Sequence, residues 1–216
     1  MEIASAKSCP SGLECASRMS AAPILEQLFP IVIDNDLQLR LLEMEDASRL
    51  YQLVDSSRSR LRKWLPFVDE YRSVDNATQF ISKCRQQLDD RSGLGLGIWS
   101  MSVLAGVVTY DYIDWKNGAT RIGYWLGNTF ESRGLMTRTC QALVEFAFHK
   151  LRLNRVEIWC ASANERCRRI PEKLSFKLEG ILRERERISD QAMDIVSYAM
   201  LAREWKRSTL HGQTRI

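Results

Sequence analysis

Changes in the period of the hydrophobic positions mark the elements of this chain. Leu37, Leu39 and Leu41 alternate with Gln38 and Arg40, which predicts one extended segment over 31–42. The period then lengthens. Ala47, Leu50, Tyr51 and Val54 share one helical face, so a helix opens at Glu45 or Asp46 and runs through 55. Residues 60–65 suit a second short helix stopped by Pro66. Ala77, Phe80, Ile81, Cys84 and Leu88 give a cleaner amphipathic helix over 75–90, broken by Gly93, Gly95 and Gly97. Strands follow over 97–102 and 105–113, then a polar turn over 114–118 and a third strand over 119–126. After a polar loop, Leu135, Ala142, Leu143, Phe146, Ala147 and Lys150 sit on a further helix. Residues 155–161 read as a buried strand and 165–174 as a helix. Residues 178–188 and 193–201 read as a hairpin around Ser189-Asp190. Strands separated by helices of unequal size imply a mixed α/β sheet rather than a regular βαβ alternation.

Composition narrows the class. A chain of 216 residues, 45% hydrophobic, suits one globular domain. That domain is expected over 29–206. It lies between an Ala- and Ser-rich extension, 1–28, expected to be poorly ordered, and a short tail, 207–216. Ile24, Leu25 and Leu28 can form a small docking helix where the extension ends. The first residues lack a basic segment followed by an apolar run, which argues against a secretory signal. No apolar run reaches the length of a membrane span, so a cytoplasmic location and no membrane partner are expected. The net charge of +4 favours an anionic ligand but falls short of a nucleic-acid signature. Six cysteines form no C-x-x-C pair. Cys84, Cys140 and Cys160 lie in apolar-periodic segments and read as reduced core thiols. The two histidines, His149 and His211, have no ligand spacing around them, so no metal is expected.

The chemical signal is concentrated in 123–137. Gly123-Tyr124-Trp125-Leu126-Gly127 reads as a strand end. It runs into a polar loop, Phe130-Glu131-Ser132-Arg133-Gly134, and the helix start Leu135-Met136-Thr137. The first N–H groups of a helix have no intrahelical partner and point along its dipole, which suits a diphosphate. An ordinary helix start has the same local sequence, so the flanking pattern has to decide.

That pattern resembles the GNAT superfamily of N-acetyltransferases, and within it the RimJ/RimL type of ribosomal-protein N-terminal acetyltransferase. The supporting residues are Leu39-Arg40-Leu41-Leu42 with Asp46-Ala47, Trp64-Leu65-Pro66, Ile122-Gly123-Tyr124-Trp125, the Gly134 loop and Leu153-Asn154-Arg155-Val156. Further along stand Asn164, Pro171-Glu172-Lys173-Leu174, Leu178-Glu179-Gly180 and Asp194. Each is weak alone; their order and spacing over roughly 29–205 carry the resemblance. It implies a twisted, mostly antiparallel sheet with splayed central strands, here 119–126 and 155–161, flanked by helices. It also implies acetyl-CoA as co-substrate and an amine acceptor, with a protein N-terminal α-amine of ribosomal type first. Polyamines, amino acids and aminoglycosides are the alternatives, and a homodimer is left open.

The resemblance assigns residues as well. Tyr124, Trp125 and Leu126 would pair with the pantetheine arm. Glu131, Ser132, Arg133, Gly134, Leu135, Met136 and Thr137 would hold the pyrophosphate, and Asn164 would contact the cofactor near its thiol. Cys167, at the place of a family serine, would protonate the leaving thiolate, and Glu186 would activate the amine through water. Each has a plainer reading. Asn164 suits a helix N-cap, Cys167 a structural thiol, and Glu186 a solvated face within Arg183-Glu184-Arg185-Glu186-Arg187. Arg166, Arg168 and Arg169 can reach the 3′-phosphate of CoA or simply face solvent. Trp64, Tyr71, Trp99 and Trp115 can line an acceptor cleft or fill core. Five departures stand out. Arg121 replaces a common glutamate and would repel an ammonium if it faced the cleft. Ser132 replaces glycine, Met136 a smaller residue, Cys167 a serine, and Ser175 a glycine that requires a left-handed backbone. They motivate a second hypothesis, a non-catalytic acyl-CoA-binding module. An RNA-associated role through the Arg-rich strand is the third, and the near-balanced charge opposes it.

Overall fold

The computed structural model describes residues 25–188 and 191–205. In chain order the elements are β1 (Ile31–Asp34), β2 (Leu37–Leu41), α1 (Ala47–Leu61), α2 (Val74–Asp89), β3 (Leu94–Ser100), β4 (Val103–Asp114) and β5 (Ala119–Leu126). Then come α3 (Leu135–Glu145), β6 (Arg155–Ala161), α4 (Glu165–Lys173), β7 (Lys177–Ile188) and β8 (Gln191–Leu201). The strands form one sheet in the order β1-β2-β3-β4-β5-β6-β8-β7. Every neighbouring pair is antiparallel except β5 and β6. This is the mixed, mostly antiparallel sheet expected.

Helices cover both faces. On one, α1 and α2 bury Leu50, Val54 and Ile81 against Trp99, Leu104 and Val107. On the other, α3 and α4 cover a larger cluster that includes Leu96, Ile98, Ile122, Leu143 and Ile158. Leu25 begins a 3-10 turn (Leu25–Leu28) and is buried in that larger cluster, as a docking segment would be. The remainder of the N-terminal extension, the tail after 205 and the turn at Ser189-Asp190 lie outside the described residues.

Four local expectations need correction. Residues 31–42 are two strands and not one, because the Asp34 carboxylate accepts the Asp36 N–H at 3.2 Å and turns the chain. Residues 60–65 form no separate helix. No Gly or Pro interrupts α1 before Leu61, and the buried Ser57 and Leu61 prolong its inward face. Pro66 opens a 3-10 turn (Pro66–Asp69) rather than stopping a helix, since a missing N–H is tolerated at a first position. Gly95 and Gly97 lie inside β3 and not in the break after α2. A Cβ on Gly95 would come within 2.2 Å of the Cys84 sulfur, so glycine here lets α2 lie directly on the strand. Strand β3 ends at Ser100, where Met101 and Ser102, both at positive φ (48° and 65°), turn into β4. Ser175 also adopts the left-handed backbone that its place after α4 implied, with φ 62°.

The feature that positions the site is the parallel pair. β5 and β6 are joined only from Ala119↔Arg155 to Ile122↔Ile158. Beyond that, 123–126 stay with β4, while 159–161 stay with β8. The two strands diverge, and a wedge opens in the middle of the sheet.

Candidate active site

A cleft of about 1550 Å³ runs through this wedge. At one end lie the loop after β5 and the start of α3. Gly134 takes a left-handed conformation (φ 71°) as the residue before the helix. Apart from its chain neighbours, nothing lies within 4 Å of where its Cβ would be, so the space in front of the helix is open. Ser132 is also left-handed (φ 62°). The first helical bond is from the Arg138 N–H to the Gly134 carbonyl, 3.2 Å. The amides of Leu135, Met136 and Thr137 come before it, and all three residues line the cleft. Glu131 lines it too, but its carboxylate is taken by two cations: Arg60 of α1 and Arg166 of α4 each approach the same oxygen at 2.6 Å. Its side chain therefore balances arginines. Arg133 lies over the Phe130 ring, 5.7 Å from the centroid, and its side chain is no part of the lining.

Midway, Tyr124, Trp125 and Leu126 face the cleft from β5. Asn164 caps α4 by accepting the Cys167 N–H at 3.1 Å, and it also lines the cleft. The cap turns the Cys167 side chain back toward β5. Its thiol donates to the Tyr124 hydroxyl at 3.4 Å, and that hydroxyl donates to the Cys167 carbonyl at 3.1 Å. Hydrogen bonding with Cys160 first, against the effect of burial, and then contact with the Tyr124 hydroxyl hold the Cys167 thiol below the ordinary thiol range. The same contact, together with burial, pushes Cys160 up, and burial pushes Cys140 up. Cys84, Cys140 and Cys160 are buried free thiols, as their periodicity implied.

The far end is lined by Trp64, Phe67, Asp111, Arg121, Trp159 and Glu186. Glu186 sits on β7 opposite Met193, just past an irregularity in the β7–β8 ladder. Glu184 is left-handed there (φ 50°), and its N–H donates to the Asp194 carboxylate at 2.8 Å. A bulge of this kind re-aims the residues that follow it. Of Trp64, Tyr71, Trp99 and Trp115, which the sequence offered for an acceptor cleft, only Trp64 lines it. Tyr71 and Trp99 are buried in the α1–α2 cluster. Trp115 is exposed and donates to the Arg91 carbonyl at 2.7 Å. Arg121 does face the cleft, but not as a lone cation: its Nε donates to the Asp111 carboxylate at 2.8 Å. Asp111, Trp159 and Arg60 are lining residues that periodicity gives no means of finding. Arg168 is turned to Tyr198 and the Ser162 carbonyl, and Arg169 to Glu165.

A gap between diverging strands, leading to the amino end of a helix, is the architecture the motif order implied. The profile of the acetyltransferase (GNAT) domain matches residues 36–177, well over half of the chain. This chain belongs to the GNAT acetyltransferase family. YdaF of Bacillus subtilis (strain 168), which carries the provisional name ribosomal N-acetyltransferase, is 35% identical over 180 residues, 83% of this chain and 98% of that one. The ribosomal-protein-serine acetyltransferase of Escherichia coli (strain K12) is 25% identical over 174 residues, 79% of this chain and 96% of its own length. Among solved structures, an acetyltransferase that modifies the N-terminal serine of 50S ribosomal subunit protein L7/L12, from Salmonella typhimurium, superposes with a TM-score of 0.73. It is 25% identical and covers 80% of this chain and 99% of that one. The GNAT chain described here is accordingly an N-acetyltransferase.

Proposed function

We propose that this GNAT enzyme moves the acetyl group of acetyl-CoA to the α-amine at a protein N-terminus. The observation that carries the reading is one continuous cleft that joins three things. These are strand edges left unpaired between β5 and β6, helix amides at an open left-handed glycine, and a thiol and a carboxylate further along. The residues present fit the cofactor. The amides of 135–137 and the Gly134 turn suit its pyrophosphate, and Arg60 and Arg166 add positive charge beside it. The backbone of Tyr124, Trp125 and Leu126 suits the pantetheine arm, which pairs like a strand. When bound, acetyl-CoA supplies an acetyl group already activated as a thioester.

The chain's own residues supply the proton handling. An amine attacks only when neutral, so its ammonium must first lose a proton. Glu186, which lines the cleft, takes it through water in this reading. Cys167 gives a proton to the departing thiolate. Hydrogen bonding with Cys160 then stabilises the sulfur left behind, and the Tyr124 hydroxyl can turn from the Cys167 carbonyl to do the same. Asn164 holds Cys167 in place by capping α4. A ribosomal-protein N-terminus is the acceptor that the relatives named for that activity suggest.

Steady-state thiol release from acetyl-CoA, with N-terminal peptides, spermidine and free amino acids as acceptors, tests the reading. Turnover with peptides well above spermidine is expected. Acetyl-CoA binding with no thiol release from any amine would instead favour the non-catalytic module.

A further inference from the structure

The acceptor end of the cleft holds a cation that no step of acetyl transfer uses. In β4 the pairing with β5 steps from Tyr110↔Ile122 to Ile113↔Thr120, so β4 carries an extra residue. Asp111 lies in this bulge, and its carboxylate meets Arg121 of β5 across the ladder, Oδ2 to Nε 2.8 Å. The other carboxylate oxygen accepts the Thr109 hydroxyl at 2.7 Å. Gly123 leaves room for this pair: a Cβ there would sit 2.7 Å from Asp111 Oδ1. The Arg121 guanidinium also lies over the Trp159 ring, 4.3 Å from its centroid. Arg121 is thus fixed by its Nε edge and by one face, and its side chain stays 27% exposed in the cleft. Its two terminal nitrogens have no hydrogen-bond partner among the described residues.

We propose that Arg121 is a specificity-determining residue that binds a carboxylate of the acceptor, selecting a peptide α-amine followed closely by an acidic side chain. A guanidinium held by its Nε presents the rest of its donor fork, and that fork matches a carboxylate with two parallel bonds. Asp111 cancels the charge of Arg121 at a distance, so an incoming ammonium meets a neutral pair. At hydrogen-bond range the two Asp111 oxygens are already engaged by Arg121 Nε and the Thr109 hydroxyl, whereas the guanidinium fork is free among the described residues and favours an anion. Lys63 also lines the cleft, and Arg185 lies 5.8 Å from the Trp159 centroid. An acceptor carrying several cations, such as a polyamine, would place its second charge among these groups.

The proposal rests on the acetyl-transfer reading, and two assays separate their failures. The first compares kcat/KM for peptides beginning Ser-Glu, Ser-Ala and Ser-Lys. Wild type should prefer Ser-Glu to Ser-Lys by ~10-fold, the size of effect that about 1.4 kcal/mol produces. Arg121→Gln should flatten the series, bringing the Ser-Glu to Ser-Lys ratio near one whatever happens to the absolute rates. Arg121→Glu should invert it. If Arg121→Glu does not fold, Arg121→Gln alone decides. The second assay is calorimetric binding of the N-acetyl-Ser-Glu and N-acetyl-Ser-Lys peptides in the presence of CoA, which needs no turnover. Arg121-dependent preference for the acidic product with no acetylation of any amine would overturn acetyl transfer and keep the anion site. A wild-type series without charge preference, or the same order in Arg121→Gln, would overturn the anion site; Arg121 would then only brace Asp111 and Trp159.

Discussion

Cys167 differs in one measurable respect from the serine that the family resemblance implies at its place, because a thiol titrates. As a proton donor it must be protonated. Its range is lowered by Cys160 and Tyr124, so the protonated fraction falls as pH rises through that lowered value. The wild-type rate should climb with pH while the amine is being neutralised and then decline. In Cys167→Ser the decline should vanish, with most of the rate retained, and Cys167→Ala should be slower than both. Equal profiles for the Ser and Ala variants would remove the donor role. Glu186→Gln should lower kcat/KM by ~100-fold, within the usual reach of a general base, with acetyl-CoA affinity unchanged. That defect should shrink toward the acceptor's own pKa, where the amine is already neutral. The family resemblance pointed to Asn164, Cys167 and Glu186, and all three line the cleft. Asp111 was not legible in the sequence. It reaches Arg121 only because β4 is bulged, and no spacing on one strand records a bulge matched to the next.

At the scale of elements, the junction of β5 and α3 combines an open turn with a guarded one. Gly134→Glu puts a side chain and a negative charge in front of the helix amides. Acetyl-CoA affinity should fall by ~10-fold or more with the fold intact, as read by calorimetry. Glu131 acts in the opposite sense, since its carboxylate occupies Arg60 and Arg166 beside the same amides. Glu131→Gln should tighten acetyl-CoA binding by ~2-fold or more, and added salt should erase the gain, as expected of exposed charges. An unchanged affinity at low salt would show that neither arginine reaches the phosphates. Helix and strand identities followed from periodicity, because one face of each is buried. Ends were harder to read. α1 overran its predicted end by six residues, since its inward face simply continues through Ser57 and Leu61. The glycines of β3 looked like breakers, and what they record is close packing, of Cys84 on Gly95 and of Trp99, Leu42 and Leu104 on Gly97.

For the whole molecule, periodicity announced a mixed sheet but not the order of its strands. β8 lies between β6 and β7, and nothing in either segment's alternation states which neighbour it will pair with. Only the order of motifs carried that information. The resulting sheet consists of two antiparallel sections, β1–β5 and β6–β8, held edge to edge by four residue pairs. A pantetheine arm lying between 123–126 and 159–161 would bridge those sections beyond the ladder. Saturating CoA should therefore slow amide exchange at 123–126 and 159–161 more than in β1–β3. It should also raise the melting temperature, by an amount equivalent to about 2.7 kcal/mol at a hundred times Kd. Uniform protection, or none at this line, would mean the arm does not lie there. In this view the substrate serves as a removable ninth strand. With the arm there, each departure of CoA would leave the middle of the sheet joined by the four pairs of the parallel ladder alone, open for the next arm.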